Sequence, residues 1–104
     1  MFTKISKTYF TTGELMSESH SLYDMGGTCV ARHRVDCPAM IGYNIDGSIK
    51  YEDYYQNDLL HRLDGPAKCD YVENPGKEYW INGKQIICNS DEEFKRIVKL
   101  MMFK

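Results

Sequence analysis

The chain has 104 residues, of which 42% are hydrophobic and 27% charged, with a formal net charge of −2. That length suits one domain with one modest core, and that balance excludes a disordered chain. The charge is too weak for a basic field that would hold nucleic acid directly, and no stretch is long and apolar enough to span a membrane as a helix. The opening residues, MFTKISKTY, lack the apolar run of an export signal, so a reducing cytoplasmic setting is expected. In that setting the four cysteines, Cys29, Cys37, Cys69 and Cys88, read as reduced and mostly buried thiols.

In chain order, Thr12-Gly13 is expected to turn a first hairpin, 7–11 with 14–20. Residues 21–32 are less regular, with Gly26-Gly27 marking a loop. Asp46-Gly47, Asn57-Asp58 and Asn82-Gly83 are two-residue turn signals of the type that needs positive φ at both positions, and Asn74-Pro75-Gly76 is a longer one. The segments between them are rich in Tyr, Ile, Val and Trp, and predict hairpins of 38–45 with 48–56 and of 66–73 with 77–81, the latter continuing into 84–88. Ser90-Asp91-Glu92-Glu93 is a capping box, and Phe94, Ile97, Val98 and Met101 recur at helical spacing, so residues 91–103 are predicted as a helix. The fold class expected is mainly β: an antiparallel hairpin meander in a single domain over 1–104, closed by one C-terminal helix.

A motif occurs twice. His33-Arg34-Val35-Asp36-Cys37-Pro38-Ala39 matches His61-Arg62-Leu63-Asp64-Gly65-Pro66-Ala67 at five of seven positions, 28 residues apart. Tyr54-Tyr55-Gln56-Asn57-Asp58 then answers Tyr79-Trp80-Ile81-Asn82-Gly83. The units are 33–58 and 61–84. His33, Arg34, Asp36 and Pro38, with His61, Arg62, Asp64, Gly65 and Pro66, read as a structural staple repeated once per unit. Asp64 can close a local turn, the motif arginine or histidine can donate to it, and Gly65 can take a backbone conformation closed to other residues. A His/Asp acid–base pair is the alternative, but it lacks a nucleophile and an oxyanion loop, and no catalytic residue is assigned.

The pattern His-Arg-x-Asp-Gly-Pro-Ala followed by Tyr-Trp-x-Asn-Gly-Lys resembles a short repeat of bacteriophage and giant-virus proteins, distantly similar to MORN-repeat variants. Tyr9-Phe10-Thr11-Thr12-Gly13-Glu14-Leu15-Met16-Ser17-Glu18 resembles a hairpin of those variants. The resemblance covers residues 9–86 and is densest over 61–84. It implies an antiparallel hairpin array with a scaffolding or binding role. Cys37, standing where the repeat has glycine, leaves the turn of the first copy open.

Cys29, His33 and Cys37 have zinc-compatible side chains, and Cys69 or His61 could complete a set of four. There is no Cys-x₂-Cys pair, and the second copy carries Gly65 at the place of Cys37, so the reading taken is no metal and no cofactor. Two surfaces suggest a partner. Residues 44–58 hold Asp46, Glu52, Asp53 and Asp58 against Lys50 alone, a local charge of −3, with Tyr51 among them. The acids there are expected at the surface, facing a basic partner, while Tyr54 and Tyr55 lean towards the core as Tyr79-Trp80 do. Leu100, Met102 and Phe103 exceed what one buried helix stripe needs, so the helix is expected to be wedged, to dimerise or to dock on a partner. Together these features point to a non-enzymatic protein-binding module, in its concrete form a phage-encoded inhibitor of a host defence complex. The alternatives are a structural or assembly repeat protein and a small zinc- or nucleic-acid-binding module.

Overall fold

The computed structural model describes residues 2–72 and 76–102. Two of the expected features, the Asn74-Pro75 part of the longer turn and Phe103, lie outside the described residues. Within these residues ten strands and one helix follow one another. They are β1 (Phe2–Tyr9), β2 (Leu15–Tyr23), β3 (Cys29–Arg32), β4 (Met40–Tyr43), β5 (Ile49–Asp53), β6 (Tyr55–Gln56), β7 (Leu59–Leu60), β8 (Lys68–Asp70), β9 (Lys77–Ile81), β10 (Lys84–Ile86) and α1 (Asp91–Met102). The main sheet runs β1-β2-β4-β5-β8-β9-β10, every pairing antiparallel, and β6-β7 form a separate two-stranded ribbon. The mainly β class with one terminal helix is as the sequence predicts.

Residues 21–32 are more regular than their sequence suggests. Strand β2 continues to Tyr23, and β3 folds back on it through Ser21↔Arg32 and Leu22↔Ala31. The N-terminal half of β2 pairs instead with β4 through Ser17↔Gly42 and Ser19↔Met40. One long strand thus serves two short ones laid end to end along the same edge.

The turns are of two kinds. Asn57 and Asp58 have φ of 51° and 67°, and Asn82 and Gly83 of 49° and 79°, the doubly left-handed form expected. At Asp46-Gly47 the expectation fails, because only Gly47 is left-handed, at φ 92°. The loop there is one residue longer: Gly47 N donates to Asn44 O (3.0 Å) and Asn44 N to Ser48 O (2.8 Å). Asp46 accepts the Ser48 amide at 2.9 Å, which fixes the turn without positive φ. Phe10–Glu14 and Asp24–Thr28 close with the same bond pattern, around Gly13 and Gly27.

The molecule is flat, 46 × 37 × 16 Å, and its core is small. Among the described residues the buried apolar side chains are Ala39, Ile41, Ala67, Cys69, Tyr79 and Phe94. Cross-strand register sets one row, Glu18-Ile41-Glu52-Cys69-Lys77, on the covered face, and another, Ser19-Met40-Asp53-Lys68-Glu78, on the opposite one. The helix begins where predicted: Ser90 Oγ accepts the Glu93 amide at 3.1 Å. It docks through Phe94, whose ring lies 4.7 Å from that of Tyr79, with Ile97 and Val98 half-buried.

Candidate partner-binding surface

The two motif copies are held by matching bonds. In a two-residue hairpin turn the first turn amide lies outside the strand ladder and needs a partner. Asn57 N donates to His33 Nδ1 (2.9 Å), and Asn82 N donates to His61 Nδ1 (3.0 Å). The second turn amide goes to the residue preceding the motif: Asp58 N to Arg32 O (2.9 Å) and Gly83 N to Leu60 O (2.9 Å). Arg34 N and Arg62 N donate to Tyr55 O and Trp80 O. Their guanidinium groups reach Pro38 O (3.3 Å) and Pro66 O (3.1 Å), tying the motif's start to its end. Each histidine is therefore an acceptor for the tip of its own unit's hairpin, and each arginine a brace across the motif loop.

The copies differ around the arginine. Arg62 lies over the Tyr54 ring at 4.1 Å, and its Nε donates to Asp64 Oδ1 at 2.8 Å. That bond holds the Asp64 carboxyl below the usual range. Gly65 makes this possible by its missing side chain and not by its φ, which is not left-handed. A Cβ built there would meet Arg62 Cζ at 3.0 Å. The expected role of Gly65 as a conformational exception is thus corrected to one of clearance. In the first copy Cys37 carries that Cβ. There Asp36 takes φ 62°, and Arg34 turns to strand β2, with Nη1 3.1 Å from His20 Nε2 and 4.0 Å from Glu18 Oε2.

A cleft of about 200 Å³ opens between the copies, lined by Arg34, Asp36, Tyr54, Gln56 and the loop His61–Asp64. On its other side the same loop borders a second recess of about 260 Å³, where Leu63 and Ile81 meet Val98, Met101 and Met102 of the helix. Leu63 stands between the two and is 40% exposed, and Val35, its counterpart, is 58% exposed. Of the two positions at which the copies differ, this one is apolar and displayed in both. The Asp64 side chain beside it is 82% exposed.

The acidic stretch does not form one surface. Asp46 is spent on its turn, and Asp58 on Arg32 (2.8 Å). Glu52 accepts the Tyr71 hydroxyl at 2.6 Å. Asp53 is buried, contrary to the expectation that these acids stay outside. Its Oδ1 is enclosed without a hydrogen-bond partner, Lys68 Nζ is 3.9 Å from Oδ2, and burial raises its pKa. The neighbouring corner is closed by Arg32, which lies 4.0 Å over the Tyr55 ring and 3.9 Å from Met40 Sδ. Tyr51 faces the same side, its ring filling the space above Gly42. Tyr54, Tyr55 and Trp80 are half-buried under or beside polar groups, whereas Tyr79 is buried in the core.

Of the helix residues singled out, Leu100 and Met102 are 69% and 70% exposed. All four cysteines are free, but only Cys69 is buried and Cys29 is exposed, because β3 is a short strand at the sheet margin. Among the described residues no three His, Cys, Asp or Glu side chains gather as a metal site requires, and Cys29, His33 and Cys37 stay apart. Among them, too, no helix is long and apolar enough to cross a membrane. Leu63, Ile81, Val98 and Met101 were not singled out as a site from the sequence; the signal was an apolar residue inside an otherwise polar motif. Comparison with protein-family models, curated proteins and solved structures finds no match to the chain.

Proposed function

We propose that the chain is a non-enzymatic protein-binding module whose contact surface is centred on the 61–64 loop. The observation that carries this reading is the display of Leu63 between a polar cleft and an apolar recess, with the rest of its motif engaged in holding the fold. An apolar side chain ringed by exposed acid and by Met101 and Met102 suits a partner with an apolar contact and basic neighbours. In its concrete form the module is a phage-encoded inhibitor of a bacterial defence complex acting in the host cytoplasm. That form rests on the resemblance of the repeat.

The test is a captured and then purified partner from bacterial lysate, titrated against the native chain and against Leu63→Lys. Truncating or reversing a central contact costs upwards of about 2 kcal/mol, so affinity should fall at least tenfold with an unchanged melting temperature. Equal affinity of the two proteins would sink the reading.

A further inference from the structure

Strand β1 is exposed along its whole length. All eight residues from Phe2 to Tyr9 are solvent-exposed, and β2 is its strand neighbour among the described residues. In an antiparallel pair, successive residues aim their N–H and C=O groups alternately toward and away from the neighbour. The outer side of β1 therefore presents a row of main-chain donors and acceptors, which another extended chain satisfies best. Apolar side chains flank that row on both faces: Phe2 is 45% exposed on one, Ile5 and Tyr9 are 53% and 57% exposed on the other.

Charge selects the occupant. Lys4 and Lys7 are the charged residues of β1, and it has no acid. Lys4 Nζ sits 5.4 Å over the Tyr23 ring. Glu18, opposite Lys7 on β2, directs its carboxylate to His20 at 2.8 Å. A second copy of β1 brings the same two lysines and no acid, and β10 at the far edge offers Lys84 and no acid. Neither edge of another copy therefore supplies a countercharge to Lys4 and Lys7. We propose that β1 is a strand-addition site for an extended acidic segment of another protein. Acids three residues apart on that segment fall on opposite faces, as Lys4 and Lys7 do.

The probe is a fluorescent octapeptide of Val and Thr with glutamates at its third and sixth positions, beside a second peptide with lysines there. Anisotropy and amide exchange are read on the full chain. The acidic peptide should bind in preference to the basic one and slow β1 exchange about tenfold or more at saturation. Lys4→Glu with Lys7→Glu should invert the preference with unchanged melting. If that double reversal unfolds the chain, Lys4→Gln with Lys7→Gln should abolish the preference. Unchanged β1 exchange, equal binding of both peptides, or a dimer protected at β1 without peptide would each overturn the proposal.

Discussion

The first repeat unit and the second share their hydrogen-bond frame but not their arginine. In the second, Arg62 is folded onto its own loop, stacked on Tyr54 and bonded to Asp64. In the first, Arg34 reaches outward to His20 and Glu18 of β2. The sequence difference that accounts for this is small: Cys37 has a Cβ, and Gly65 has none. One side-chain atom thus separates an arginine that bonds the aspartate of its own loop from one that, besides Pro38 O, reaches His20 and Glu18 of β2. The histidines accept the same turn amide in both copies and do the same job twice.

The comparison extends to a third aromatic. Tyr54 lies under Arg62, and Tyr79, its counterpart one unit later, lies against Phe94 of the helix. The Tyr79 hydroxyl also donates to Asp91 at the helix start. The helix therefore takes the place of the next motif loop, as terminal caps do in repeat proteins. Phe94→Ala should have the largest effect, about 3–5 kcal/mol of stability in urea unfolding, since this ring is wholly buried in a small core. A loss within ~1 kcal/mol would mean that the helix is not the cap.

Exchange of the motif glycine sharpens the comparison itself. Gly65→Cys should cost about 1–3 kcal/mol by overpacking and should part Arg62 from Asp64. The reverse change, Cys37→Gly, should cost less than about 1 kcal/mol, chiefly in chain entropy. Equal costs for the two would show that clearance for the arginine is not what separates the copies.

The repeat, the hairpins and the helix start were legible because each has a local signature: an identical motif, left-handed turn pairs, and a serine followed by acids. Two features were not. Strand β3 pairs with the far half of β2, and nothing in Cys29–Arg32 alone says that Tyr23 waits opposite. Asp53 shares a sheet face with Tyr51 as expected, but how far that face is covered there depends on Arg32 returning over Tyr55 from an earlier strand. Burial of this acid is therefore a tertiary outcome that residue type argues against. The candidate surface was half legible. The surplus apolar helix end was visible, whereas its meeting with Leu63 depends on how the cap docks.

The most direct test of the account is whether both motif histidines act as acceptors for hairpin-tip amides. Nitrogen-15 NMR can read this as scalar coupling across the hydrogen bonds, between Asn57 N and His33 Nδ1 and between Asn82 N and His61 Nδ1. Both couplings are expected, with the ring proton of each neutral histidine on Nε2. A ring proton found on Nδ1 in either histidine, with no coupling, would contradict it.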